Sequence, residues 1–187
     1  MNVISHLRMG TMVSKEIKNQ VSLKPYSFAL GNMAGDLNPK LQRLSHYSDN
    51  CVNIIQTLIN KLFNEPDLSL TKLSFKLGEI AHFVADFFCF AHDSQRYHES
   101  LTTHTIYELH LDKALKNHNF TTSELYLELN TDIKTLINNL INFRKQYVLA
   151  PVTIATDLNF IFVACQTFTQ SLFLAYQEAF SLKLSYQ

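Results

Sequence analysis

The chain has 187 residues, of which 47% are hydrophobic and 17% are charged, so its composition excludes a disordered protein and supports one substantial hydrophobic core. The 16 lysines and arginines balance the 16 aspartates and glutamates, which excludes a global electrostatic field that would attract nucleic acid or an anionic membrane. With only 4 glycines and 4 prolines, the chain is a poor candidate for a loop-rich all-β fold. We therefore expect a single, mostly helical domain over residues 1–187.

Apolar residues recur with helical spacing in a series of segments that are separated by turn or cap signals. In chain order, the predicted helices cover residues 3–19, 26–34, 43–63, 69–92, 101–117, 122–148 and 152–183. The breaks between them contain proline or polar capping residues, which end helices: Pro25, GDLNPK at 35–40, NEPDLS at 64–69, HNFTTSE at 118–124 and Pro151. The pattern predicts an all-α bundle of six or seven helices.

The last predicted helix contains the most apolar stretch of the chain, LNFIFVACQTFTQSLFLAY at 158–176. Asp157, Gln166 and Gln170 interrupt it, which favours a buried core helix over a membrane span. No other apolar run approaches the roughly 18 residues that a span requires. We therefore expect no transmembrane segment.

The N-terminal residues MNVISHLRMG lack the basic flank and the apolar run of a secretory signal. The cysteines are odd in number, far apart and without a CxxC spacing, as is typical of reduced packing residues in a cytosolic protein: Cys51, Cys89 and Cys165. Together these features predict a cytoplasmic location.

The segment AHFVADFFCFAH, residues 81–92, places two histidines and an aspartate among aromatic side chains. An unpaired charge buried there would be costly, so Asp86 must face water, hold a partner or coordinate a metal ion. His82 and Asp86 stand four residues apart, so their side chains would share one helix face and could grip one ion. His92 would lie about 15 Å from His82 along a straight helix, so it could serve a second ion only if the helix bends or ends near residues 88–92.

A second pair with the same spacing, His104 and Glu108, follows in the next predicted helix. Taken alone, the pair is also consistent with a simple buried ion pair. Upstream, Asp36 and His46 bracket a short loop, and His6 opens the first helix. Imidazole nitrogen and carboxylate oxygen are ligands that suit zinc. Three further histidines fit no such pairing and are expected at the surface or behind the site: His98, His110 and His118.

The order H…GD…H…HxxxDxxxxxH…HxxxE, which runs from His6 to Glu108, resembles the zinc-dependent phospholipase C family. Relatives of that family include the single-strand-specific zinc nucleases, and its members are all-helical enzymes with a trinuclear zinc site. The resemblance implies three zinc sites with the following ligands: Asp36, His46, His82 and Asp86 for one ion, His92, His104 and Glu108 for a second, and His6 with the bridging Asp86 for a third. It also implies that Asp36 acts as the catalytic base.

The sequence departs from the family pattern in three respects. Secreted members bind the third zinc through the amino group and carbonyl of an N-terminal Trp, and this chain contains no Trp, so we expect two zinc ions and leave the third open. Family motifs often place a proline two residues before the histidine that corresponds to His92, where this chain has Phe90. Toxins with an additional lipid-binding β domain are longer, so the chain resembles the short form.

The resemblance implies a zinc-dependent phosphoric diester hydrolase of phospholipase C type, which uses metal-activated water on a phospholipid or a small phosphodiester. Two alternatives remain open. A nuclease-like phosphodiesterase would need aromatic side chains for base stacking, for which Tyr47, Tyr97 and Tyr107 are candidates. A non-catalytic helical bundle would instead use the ions for structural stability. No stable nucleic-acid partner is expected.

Overall fold

The computed structural model describes residues 1–44, 46–120 and 124–180. Within these ranges the chain forms eight α-helices and no strand, so the predicted all-α class is confirmed. The helices are α1 (Val3–Glu16), α2 (Pro25–Leu37), α3 (Pro39–Gln42), α4 (Ser48–Phe63), α5 (Leu70–Phe87), α6 (Leu101–Leu115), α7 (Ile133–Leu149) and α8 (Ile154–Phe180). The short α3 is an addition to the seven predicted segments.

Polar caps fix the starts of several helices. Ser69 accepts a hydrogen bond from the Lys72 N–H at the start of α5, and Ser100 does the same for Thr103 in α6. The predicted helix over 122–148 is too long, since among the described residues its helical part begins only after the cap residue Asp132. The predicted start of that segment at 122 and the predicted end of the last helix at 183 lie outside the described residues.

Helix α5 lies at the centre of the molecule and packs against α2, α4 and α8. Every residue from Ile80 to Phe87 is buried, so the second half of this helix is enclosed on all sides. This burial agrees with the many aromatic residues in the segment 81–92, and it places His82 and Asp86 inside the protein.

Two glycines allow α2 and α5 to cross at very short distance. A Cβ atom on Gly31 would collide with the backbone carbonyl of Phe75, and one on Gly78 would collide with the carbonyl of Phe28.

The prediction that GDLNPK ends the helix at residue 34 is wrong by three residues, because α2 continues to Leu37. Asp36 therefore sits in the last turn of α2, against α5.

Helix α8 is, by length and composition, the one helix of the described residues that could cross a membrane. The expectation of no transmembrane segment stays a prediction. Most of its apolar stretch is buried inside the structure, where it packs against α5 and α7, as its prediction as a core helix requires.

The three cysteines are free and buried, as expected of packing residues, and burial raises the pKa of Cys89 to about 12.

Candidate metal centre

The carboxylate of Asp86 is completely buried in the last turn of α5, and its two oxygens face different sets of nitrogen atoms. Oδ2 lies 2.8 Å from Nδ1 of His46 and 3.4 Å from Nε2 of His82. Asp36 extends this set, with Oδ1 3.9 Å from the same His82 nitrogen. The ligand atoms of Asp36, His46 and His82 lie within 4.8 Å of one another, so they could surround one ion together with Asp86 Oδ2.

The other oxygen of Asp86 faces the N-terminal helix. Oδ1 lies 3.2 Å from Nε2 of His6, whose ring stacks on that of His82 with 3.8 Å between the centroids. Ligand atoms of His6, His82 and Asp86 again lie within 4.8 Å of one another. Asp86 thus presents one oxygen to each of two ligand groups, which is the arrangement of a bridging carboxylate.

A third group forms where the chain turns back after α5. The helix ends at Phe87, and a single 3-10 turn over Phe90–His92 follows, so the bend that the sequence analysis required is present without proline. His92 Nε2 lies 3.6 Å from Asp86 Oδ1 and 3.0 Å from Oε1 of Glu108. His104 Nε2 lies 3.2 Å from that same Glu108 oxygen. The three predicted groups are therefore neighbours in space.

The α-amino group of Met1 also lies in the centre, which the sequence analysis did not anticipate. Its nitrogen is 2.7 Å from Asp86 Oδ1, 2.6 Å from His92 Nε2 and 3.2 Å from Glu108 Oε1. Asn2 supports this position, because its side chain caps α1 and its amide donates to the backbone carbonyl of Glu108. An amine belongs to whatever residue comes first, so no residue type in the sequence marks it as a ligand.

The end of α2 orients two of the imidazoles. The buried Asn32 places its side-chain oxygen 3.0 Å from Nδ1 of His6 and its backbone carbonyl 2.8 Å from Nδ1 of His82. With each Nδ1 donating to oxygen, Nε2 of both rings is left to face Asp86 and can bind metal. Gly35 makes room for the second ring, since a Cβ there would collide with the imidazole of His82.

Burial and neighbouring charges shift the pKa values of the centre. Burial and the nearby His6 hold the pKa of His82 well below its usual range, so this ring is neutral. Burial alone would raise the pKa of Asp86, but His92 and the Met1 amine outweigh it and keep the pKa well below the ordinary value. The pKa of Asp36 is raised, mainly by burial. The carboxylate at the heart of the centre is therefore ionised.

Two features of these residues fit zinc: the donor atoms that they supply, and buried polar atoms that have no hydrogen-bond partner. Oδ2 of Asp36 is buried without a hydrogen-bond partner, and so is Nε2 of His6, which lies near Asp86 Oδ1 but not in hydrogen-bonding geometry. Five imidazoles and three carboxylates form the set, and its groups contain no thiolate. With neutral imidazoles the carboxylates leave a net negative charge, which divalent cations would offset.

One edge of the centre is open to solvent. The side chains of Asp36, His46, His104 and Glu108 are 22%, 17%, 17% and 13% exposed, whereas those of His6, His82 and Asp86 are fully buried. A molecule that enters the centre must therefore approach across the partly exposed edge. The remaining histidines lie outside the ligand groups: His98 and His110 are exposed, and His118 pairs with Asn159.

The candidate stacking tyrosines differ in how they are placed. Tyr47 is 50% exposed, with its ring 6.4 Å from that of His92. The ring of Tyr97 lies 5.9 Å from that of His104. Tyr107 is turned the other way and donates its hydroxyl to Asp157. Two of the three therefore border the ligand groups at His92 and His104.

An all-helical protein in which three histidine and carboxylate groups lie around one buried carboxylate has side chains arranged as in metal-binding proteins. A sequence profile of the zinc-dependent phospholipase C family matches residues 5–150, and the chain belongs to that family. The matched range contains all the predicted ligands from His6 to Glu108 but neither Met1 nor α8. No curated protein and no solved structure matches the chain.

Proposed function

We propose that the protein is a zinc-dependent phosphodiester hydrolase that acts on a phospholipid or a smaller phosphodiester. The observation that carries the proposal is the position of Asp86, whose Oδ1 faces the imidazoles of His6 and His92 while its Oδ2 faces those of His46 and His82. A lone buried ion pair needs only one such group. Family membership supports the same chemistry.

In this proposal three ions are held by the groups that the structure brings together. Asp36, His46, His82 and one oxygen of Asp86 hold the first, while His92, His104 and Glu108 hold the second. The other oxygen of Asp86, His6 and the amine of Met1 hold the third. The amine would take the place that the missing Trp provides in secreted members of the family.

Zinc bound in such a centre lowers the pKa of water and neutralises charge on a phosphate. The protein itself contributes orientation and proton transfer. Asp36 is on the open edge, and its Oδ2 has no hydrogen-bond partner, so this oxygen can accept a proton from the attacking water. The buried ring of His82 and the carbonyl of Asn32 behind it keep the inner wall of the centre rigid.

The test is hydrolysis by zinc-loaded protein of three probes: a soluble short-chain phosphatidylcholine, a chromogenic phosphorylcholine ester and a single-stranded oligonucleotide. We expect cleavage of at least one of the first two and none in the variant Asp86→Asn, which keeps the shape of the side chain but removes its charge. Asp112→Asn is the matched control, because Asp112 pairs with Arg8 between α1 and α6 and belongs to no ligand group.

The same experiment separates the alternatives. Cleavage of the oligonucleotide alone would favour the nuclease-like enzyme, for which the half-exposed Tyr47 beside His92 is a stacking candidate. Zinc-loaded protein that cleaves none of the probes would contradict the proposed hydrolase and favour structural ions.

A further inference from the structure

Asp157 is a carboxylate buried at the start of α8, with 1% of its surface exposed. It accepts three hydrogen bonds: Oδ2 accepts from the backbone N–H of Phe90 at 2.7 Å and from the hydroxyl of Tyr107 at 3.0 Å, and Oδ1 accepts from the hydroxyl of Tyr147 at 2.6 Å. All three donors belong to other elements, so the side chain does not serve to cap its own helix.

Two of these donors come from the segments that carry the ligands of the second zinc subsite. Phe90 opens the 3-10 turn that ends at His92, and Tyr107 lies in α6 between His104 and Glu108. The rings of Phe90 and Tyr107 also touch, with 5.8 Å between their centroids. A single oxygen, Oδ2 of Asp157, therefore links the His92 turn to α6 through two hydrogen bonds.

Apart from these hydrogen bonds, little in the structure fixes the His92 turn and the first half of α6 in place. The turn over Phe90–His92 is one short 3-10 turn, and α6 has few buried residues of its own, Leu111 and Leu115, both in its second half. The first half of α6, where His104 and Glu108 lie, thus has little apolar burial to fix its rotation. A partly buried hydrogen bond from Tyr107, three residues after His104, supplies that restraint.

We propose that Asp157 is a positioning residue, which holds the His92 turn and α6 together so that His92, His104 and Glu108 converge on one ion. The proposal rests on the proposed zinc subsite and goes beyond the family match, which ends at residue 150. Carboxylates behind a metal site orient its ligands, and their loss commonly weakens metal binding by about 10–100-fold.

The first test compares zinc affinities, measured by competition with a chelator, for the wild type and Asp157→Ala. We expect one zinc per chain to bind roughly 10–100-fold more weakly in the variant, with the other ions unaffected. Asp157→Asn should restore much of this affinity, because its amide oxygen can still accept from the Phe90 N–H while its NH2 group donates to a tyrosine hydroxyl. Unchanged affinity in Asp157→Ala, or equal weakening of every ion, would overturn the proposal.

A double-mutant cycle assigns the loss to the correct subsite. If Asp157 acts through the second subsite, Asp157→Ala should cause no further loss of zinc in a His104→Ala background, since that subsite is already disabled. Tyr107→Phe should weaken the same ion, and it carries the test if Asp157→Ala does not fold. Tyr176→Phe is the control for loss of a buried hydroxyl, because Tyr176 bonds to the carbonyl of Glu65 at the far end of α8.

Hydrogen exchange in the metal-free protein provides a readout that needs no zinc. Asp157→Ala should increase exchange at residues 90–92 and in the first half of α6, but not in α4. If the wild type takes up no zinc, the proposed hydrolase fails, and this readout still decides the role of Asp157. Exchange that does not change in those segments would overturn it.

Discussion

The amine of Met1 makes contacts of 2.7 Å with Asp86 and 2.6 Å with His92, the shortest among the described ligand atoms of the centre, and any residue placed before it would change its chemistry. A peptide N–H carries no positive charge and offers no lone pair to a metal. Met1 is also only 2% exposed, so a preceding residue would have to displace packed neighbours. The proposed third ligand group therefore requires that the nitrogen of Met1 be a free amine.

An added N-terminal Gly-Ser should accordingly remove about one zinc ion per chain, as measured by elemental analysis. The same dipeptide added after Gln187 is the control and should leave the zinc content unchanged. Equal zinc content in both proteins would show that the amine is not a ligand.

Zinc uptake should also release protons. Burial opposes protonation of His46, but its hydrogen bond to Asp86 outweighs burial and raises the pKa of the imidazole. Burial likewise opposes the charge on the Met1 amine, yet Asp86, Cys89 and Glu108 raise its pKa well above the ordinary value. Both groups hold protons more tightly in the metal-free protein than in an unstructured chain, whereas a ligand must be deprotonated.

Zinc affinity should therefore increase from pH 6 to pH 8, by about tenfold per pH unit for each proton displaced. His82 adds nothing to this slope, because burial already holds its pKa well below the usual range. Calorimetric titration in two buffers with different heats of ionisation measures the number of protons released. A value of zero at pH 7 would contradict the prediction.

At the scale of single residues, the side chains with ligand chemistry could be predicted, because the spacing of His82 with Asp86 and of His104 with Glu108 reveals shared helix faces. The supporting groups could not. Asn32 acts partly through its backbone carbonyl, and the amine of Met1 is independent of residue type. In the sequence, Asp157 is recognisable only as a polar interruption of an apolar helix.

Between elements, the crossing of α2 and α5 sets the shape of the centre. Gly31 faces backbone, the carbonyl of Phe75, whereas Gly35 faces the ring of His82. An added methyl group at residue 31 can be accommodated only if the two helices separate. At residue 35 it can be accommodated if one imidazole shifts.

The two glycine-to-alanine variants should therefore fail in different ways. Gly31→Ala should lower the free energy of unfolding of the metal-free protein by about 1–3 kcal/mol or more, through overpacking. Gly35→Ala should reduce stability less but weaken zinc binding at the group of Asp36, His46 and His82. Thermal denaturation and zinc titration of both proteins measure the two effects, and a pair of variants with the same profile would contradict this account.

The helix positions could largely be predicted from apolar spacing and caps, and the misplaced boundaries have local causes. Asn130 accepts from the N–H of Asp132, and Asp132 accepts from Thr135, so side chains satisfy the backbone just before α7 and the helix does not extend further back. The close approach at Gly31 is a tertiary contact between α2 and α5. Spacing within one helix cannot reveal which partner lies against it.

For the whole molecule, the core and the proposed ions are separate sources of stability. A continuous apolar core includes residues of α1, α4, α5, α7 and α8, among them large side chains that belong to no ligand group, such as Phe143, Phe168 and Phe173. The centre is also paired without metal, since the Met1 amine and His46 face Asp86. The fold should therefore not depend on metal in the way that a zinc finger does.

Removal of zinc with a chelator should leave the far-ultraviolet circular dichroism helical while lowering the Tm. The loss follows from linkage: free zinc at 1,000 times its Kd stabilises the folded protein by about 4 kcal/mol for each independent site. Re-addition of zinc should restore the Tm, and magnesium should not, because imidazole-rich sites favour zinc over magnesium. If the metal-free protein instead unfolds at room temperature, the ions are required for the fold. That result would favour a structural role for the ions over the proposed hydrolase. A metal-free protein that stays folded and regains both zinc and hydrolysis on titration would tie the ions to catalysis.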